Sequence, residues 1–205
     1  MLNNPNGHMP HTNDEILHVD IVYNTAALYR YFITLQRELL EDTPATYIEE
    51  FKRKYEYFEG NGIRDLKTFL DSKGIKSQPR TDVIAYPDPL HPTIMPIVAQ
   101  LQEAKLEPGL ITFFKQNAGE DVPLHGDYPY RKNCLLMLPI FYNEYEPTEA
   151  VTYYQDGGSY SITTPVIMNV MKRHGVKNIN RDRLMLHIEL PDLTFEELRE
   201  HYGYS

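Results

Sequence analysis

The chain has 205 residues, with 29 acidic and 20 basic side chains, a net charge of −9, one cysteine and no tryptophan. That length fits one domain burying about 70% of its unfolded surface, and the acidic balance argues against a nucleic-acid backbone or an anionic membrane as the main partner. Cys134 alone makes neither an internal disulfide nor a multi-thiolate zinc site; with no ~20-residue apolar run and no leader pattern in the first residues, a cytoplasmic protein is expected.

The polar residues 1–14 are a candidate for disorder. After Asn24 as N-cap, apolar side chains at Ala27, Leu28, Tyr31, Phe32, Leu35, Leu39 and Leu40 recur in steps of three and four and predict a helix. Thr43 and Pro44 open a second helical segment carrying Tyr47, Ile48, Phe51, Tyr55 and Phe58 on one side. A short third helix is expected over 63–70, a short strand over 83–86 within a Pro- and Asp-rich loop, and another amphipathic helix over 93–105. From Leu110 the period becomes two. Strands are predicted over 110–115, 134–141, 151–155, 159–163, 166–172 and 183–190. Thr194, with Glu197 three residues on, caps a closing helix. Helices followed by antiparallel strands make an α+β layout. Residues 15–108 give mainly helical support, 109–192 the strand-built core and 193–205 a C-terminal helix, all within one domain.

Chemistry-bearing residues collect in the strand region. His125-Gly126-Asp127 sets an imidazole and a carboxylate two positions apart, and an extended backbone points such a pair the same way. A second copy, His18-Val19-Asp20, precedes the first helix without a strand series around it and reads as a decoy. Further on, His174-Gly175-Val176-Lys177-Asn178 follows an apolar strand. Arg183 then opens a strand in which Leu184, Leu186, Ile188 and Leu190 share one face, and Arg183, Met185, His187 and Glu189 the other. An arginine there suits a bidentate grip on a carboxylate.

His-x-Asp, a distant His-x-Val-x-Asn and an arginine heading the last strand together resemble the iron(II)- and 2-oxoglutarate-dependent oxygenases, and more loosely their aspartyl/asparaginyl- or prolyl-hydroxylase-like branch. The resemblance covers roughly residues 109–190. It implies a double-stranded β-helix, the jelly-roll or cupin-like barrel, with N-terminal supporting helices. It implies a hydroxylating dioxygenase using dioxygen and 2-oxoglutarate, with iron(II) held by His125, Asp127 and His174. It implies Arg183 on the distal carboxylate of 2-oxoglutarate. Two imidazoles and one carboxylate occupy one face of an octahedral ion and leave three positions open. Many relatives carry a small hydroxyl residue two positions after the arginine; here that residue is Met185.

Tyr128, Tyr130 and Arg131 follow the first motif and are candidates for substrate contact or gating, with loop packing the plainer alternative. Lys115 and Asn117 end the preceding strand and are candidates for hydrogen bonds to substrate or cosubstrate. Arg181 is a second candidate for the anion, His187 reads as a satisfied interior or partly exposed histidine, and Cys134 as an apolar filler. Two other functions stay open: a cupin-like metalloprotein, isomerase or lyase, that does not use 2-oxoglutarate, and a non-catalytic binding barrel. The prime substrate, whether protein side chain, amino acid or small metabolite, is not written in these motifs.

Overall fold

The computed structural model describes residues 14–42, 84–116, 118–119, 121–126, 134–141, 150–177 and 179–203, the side chains of 36–42 and 84 excepted. Helix α1, Thr25–Asp42, begins where the Asn24 side-chain oxygen accepts the Ala27 N–H at 3.0 Å, satisfying a donor that the first helical turn leaves without a partner. The helices expected over 43–58 and 63–70 fall outside the described residues. Helix α2, Met95–Glu103, carries a proline in its first turn and starts later than the periodicity predicts. The residues ahead of it form a turn closed by the Ile94 N–H on the His91 carbonyl at 2.8 Å. Helix α3, Phe195–His201, has the expected capping box: Thr194 accepts from the Glu197 N–H, and Glu197 from the Thr194 N–H.

Ten strands are described: β1 Ile16–His18, β2 Ile84–Ala85, β3 Ile111–Gln116, β4 Val122–His125, β5 Cys134–Ile140, β6 Val151–Tyr154, β7 Ser159–Tyr160, β8 Val166–Asn169, β9 His174–Lys177 and β10 Arg183–Leu190. They form a six-stranded sheet in the order β1-β8-β5-β10-β3-β2 and a four-stranded sheet in the order β4-β9-β6-β7. Every pairing is antiparallel. From β3 onward the chain steps back and forth between the sheets, with β3, β5, β8 and β10 in one and β4, β6, β7 and β9 in the other. This winding makes an α+β double-stranded β-helix, the jelly-roll barrel.

Side chains alternate along each strand, so each sheet has two faces. On one face of the six-stranded sheet Leu184, Leu186, Ile188 and Leu190 of β10, with Ile111 and Phe113 of β3 and Leu136, Leu138 and Ile140 of β5, pack against Leu28, Phe32 and Leu35 of α1, Ile97 and Leu101 of α2, and Phe195 and Leu198 of α3. Phe32 and Phe113 are fully buried with ring centroids 5.5 Å apart, and burying each contributes about 1.5–3 kcal/mol. Cys134 belongs to this core, and burial first, then Glu196 and Glu197, push its thiol up to about 12. The inner face brings Met137, Met168 and Met185 against Tyr154 of β6, so methionine fills much of the space between the sheets.

Three local differences from the periodicity bear on the site. β2 is the short strand expected within 83–86, but β1 joins the sheet from the stretch ahead of α1 where no strand was expected. His18 therefore does sit on a strand, as the exposed last residue of an edge strand of the six-stranded sheet, with its Nδ1 3.2 Å from Thr164 Oγ1. The run expected as one strand over 166–172 ends at Asn169, and His174 opens a new strand in the other sheet.

Candidate metal and anion site

β4 and β9 place the two histidines of the motifs directly opposite each other. His125 is the last residue of β4 and His174 the first of β9, and they are register partners. Their ring centroids lie 4.6 Å apart at 54°. Each imidazole is oriented by the backbone two residues before it: Nδ1 of His125 lies 2.9 Å from the Pro123 carbonyl, and Nδ1 of His174 lies 2.9 Å from the Lys172 carbonyl. A carbonyl only accepts, so in both contacts Nδ1 carries the proton and donates it. Metal-binding histidines take this arrangement, in which the second nitrogen fixes ring and tautomer. Tyr154, opposite His174 on β6, packs its ring 5.9 Å away and donates its hydroxyl to the Glu15 carbonyl at 2.9 Å.

The residue after His174 has to be glycine. A Cβ on Gly175 would lie 2.7 Å from the Tyr153 hydroxyl and 2.8 Å from the Val122 carbonyl, because β9 is squeezed between β4 and β6. Arg173, just ahead of β9, ties that strand to β4, donating from Nη2 to the Leu124 carbonyl at 3.2 Å.

Arg183 opens β10 opposite Gln116, the last residue of β3. Both side chains are buried, at 7% and 3% exposure. Arg183 Nη1 donates to Gln116 Oε1 at 2.9 Å. Burial lowers the guanidinium to about 10, so it stays charged at neutral pH. Among the described residues no carboxylate is ion-paired with it. Arg181, by contrast, is exposed. Met185, next on the inner face, is 1% exposed. His187 stacks on Phe114 with centroids 5.3 Å apart, and its Nε2 is sealed with no partner among the described residues, where a satisfied ring was expected.

Lys115 does not join this cluster. It pairs across the ladder with Leu184, on the face turned toward the helices, and its Nζ lies 3.0 Å from Asp182 Oδ2. Asp182 also accepts the Ala118 N–H at 3.0 Å, so the ion pair braces the turn after β3. Asp127, Tyr128, Tyr130, Arg131 and Asn117 lie outside the described residues. Among the described residues no group of three His, Cys, Asp or Glu is placed to hold a metal ion. Sequence reasoning stopped one residue short on β3 and passed over Gln116, although the period of two that singles out Arg183 marks its partner as inward-facing too.

No family model and no curated protein matches the chain. Solved structures that resemble it include a prolyl-4-hydroxylase from Pseudomonas putida, 15% identical over 78% of this chain and 98% of that one, with a TM-score of 0.41. Another is a prolyl hydroxylase from Trichoplax adhaerens in complex with a hypoxia inducible factor peptide fragment, 9% identical over 90% and 98% of the two chains, with a TM-score of 0.39. A cupin family protein with a double-stranded β-helix fold from Methanocaldococcus jannaschii is 16% identical over 44% of this chain and 74% of that one, with a TM-score of 0.30. All are distant, and the chemistry below rests on this chain's own residues. No helix among the described residues is long and apolar enough to cross a membrane.

Proposed function

We propose that the protein is an iron(II)- and 2-oxoglutarate-dependent dioxygenase, with His125, Asp127 and His174 as the metal ligands and Arg183 as the anchor of the cosubstrate's distal carboxylate. The observation that carries this is the cross-strand histidine pair, with both Nδ1 atoms on backbone carbonyls. Two imidazoles set side by side by cross-strand register suit a divalent ion of borderline softness. Asp127 follows His125 by two residues and is assigned from the sequence motif. Bound there, iron and 2-oxoglutarate would supply, with dioxygen as the oxidant, the chemistry that hydroxylates a substrate C–H bond.

The chain's own contribution is orientation and exclusion of water. Backbone carbonyls hold the imidazoles, and Tyr154 packs beside His174. The buried guanidinium of Arg183 favours an anion, because a charge that deep is costly without one. Met137, Met168 and Met185 keep the space between the sheets apolar. Met185 also favours the second reading, a cupin-like metalloprotein that keeps the histidine pair and has no use for a keto acid, since it offers the anion no hydrogen bond.

Anaerobic titration of the protein with iron(II), then with 2-oxoglutarate, separates the two. Tight iron binding followed by saturable 2-oxoglutarate binding, and succinate release once air is admitted, are expected of the oxygenase. Iron binding with no response to 2-oxoglutarate leaves the cupin-like reading standing.

A further inference from the structure

The inner face of the barrel holds an imbalance of hydrogen-bond donors. A guanidinium offers only donors. Gln116 must therefore turn its carbonyl end to Arg183, and its Oε1 accepts from Nη1 at 2.9 Å. That contact fixes the amide. Nε2, with its two N–H groups, is turned away from Arg183, closed to solvent and without an acceptor among the described residues. An amide nitrogen left so carries its full desolvation cost. Thr152 Oγ1 and His187 Nε2 are sealed and without partners in the same way. Thr152 and Tyr154 share a face of β6, and His187 and Arg183 share a face of β10. Met185, between Arg183 and His187 on that face, contributes no donor. One cation and one orphaned amide nitrogen, with no carboxylate paired to either among the described residues, make a site suited to an anion.

We propose that Gln116 is the second arm of the anion clamp: its Nε2 donates to the carboxylate that Arg183 binds. This rests on the assignment of Arg183 to the cosubstrate's distal carboxylate. Oε1 orients the guanidinium and Nε2 meets the ligand, so one amide does both jobs. The division of labour needs a side chain with an acceptor and a donor at the same reach, which glutamine has and lysine, methionine and ionised glutamate lack.

The test uses the full chain loaded with iron(II) under anaerobic conditions, with 2-oxoglutarate titrated calorimetrically. Gln116→Met removes both ends of the amide at nearly constant length. It should bind iron as the wild type does and 2-oxoglutarate about 10- to 100-fold more weakly, the span for one hydrogen bond to a charged group. Gln116→Glu keeps the acceptor for Arg183 and removes the donor. Its carboxylate fills the clamp, so its melting temperature without ligand should be no lower than the wild type's. It can take 2-oxoglutarate only by picking up a proton, which restores an O–H donor. Its 2-oxoglutarate affinity should then fall about tenfold per pH unit between about pH 6 and 8, with close to one extra proton taken up relative to wild type. Titration in two buffers of different ionisation enthalpy counts that proton. A side chain that only props up Arg183 produces no proton linkage. The proposal is overturned if Gln116→Glu binds 2-oxoglutarate with the wild type's affinity and proton count, or if folded Gln116→Met binds it as tightly as wild type. If the wild type, with iron bound, does not take 2-oxoglutarate at all, the cosubstrate assignment itself falls, an outcome distinct from the other two.

Discussion

In β10 of the six-stranded sheet, Leu184, Leu186, Ile188 and Leu190 are buried beneath helices; in β9 of the four-stranded sheet the one buried apolar side chain, Val176, sits beside a histidine and a glycine. The larger sheet has α1, α2 and α3 packed on its outer face, while among the described residues the hydrophobic cluster around Val176 contains no helical residue. The helix-packed core and the proposed metal ligands are therefore concentrated on different sheets. The larger sheet buries enough apolar surface to hold the barrel together, so the smaller can devote inward positions to His125, His174 and Thr152. Arg183 is the exception. It stands on the stable sheet but faces inward, where a rigid strand fixes the guanidinium more tightly than a loop would.

The sharpest way to break this comparison is to damage each sheet separately. His174→Ala should abolish iron binding and turnover, because it removes a proposed ligand, yet leave a cooperative urea transition. His18→Ala should leave iron binding unchanged, since that histidine is an exposed residue of an edge strand on the other sheet. Calorimetric iron titration of both variants checks it, and equal loss in the two would reverse the assignment. Leu186→Ala should do the opposite of His174→Ala. Leu186 is 0% exposed within the helix-covered core, and truncation there costs about 2–5 kcal/mol by urea denaturation. The protein that remains folded should still titrate with iron. Loss of iron binding in folded Leu186→Ala would mean the two sheets are not separable in this way.

Arg183→Ala sharpens the exception. It should weaken 2-oxoglutarate binding by roughly 10²-fold, about 3 kcal/mol on the scale for breaking a buried charge pair. Iron affinity should survive, because the proposed ligands belong to other strands. Unchanged 2-oxoglutarate dependence in this variant would favour the cupin-like metalloprotein.

The same contrast decides what was legible in the sequence. β10 was read to its exact ends, since leucine and isoleucine alternate there with a polar-and-methionine face and one face is packed by helices. α1 and α3 were legible through Asn24 and the Thr194–Glu197 capping box, which act locally. β4 was not. It is the edge strand of the smaller sheet, it contains Pro123, its register with β9 is irregular, and none of its residues is fully buried. An edge strand has no need of every N–H, so proline is tolerated there and the usual strand signal vanishes. His174 was read as the end of a strand because 166–171 are apolar apart from Asn169, and nothing local announces that the chain changes sheets at 171–173. The facing of His125 and His174 is a property of long-range register, which periodicity along one strand cannot carry.

The smallest expected effect concerns His187, the buried imidazole on the stable sheet's inner face. Burial, and then the charges of Arg183 and His174, lower it from 6.5 to about 3. In the native protein it therefore stays neutral where the unfolded chain takes up a proton. Below about pH 6.5 the unfolded state holds more protons, so stability falls as the pH falls, with a slope reaching about 1.4 kcal/mol per unit down to about pH 3. Above the unfolded value neither state is protonated and the contribution is flat. Between pH 7.0 and 5.5 the loss from this one group comes to about 1 kcal/mol. His187→Leu removes the titrating ring from an interior position that already faces Met137 across the ladder. Urea denaturation of both proteins in chelator, at the two pH values, isolates the term as a double difference, in which the other titrating groups cancel. The variant should lose about 1 kcal/mol less than the wild type on acidification. Equal losses would mean that His187 titrates normally and is reached by water, and the inner face of the larger sheet would then be wetter than its methionines imply.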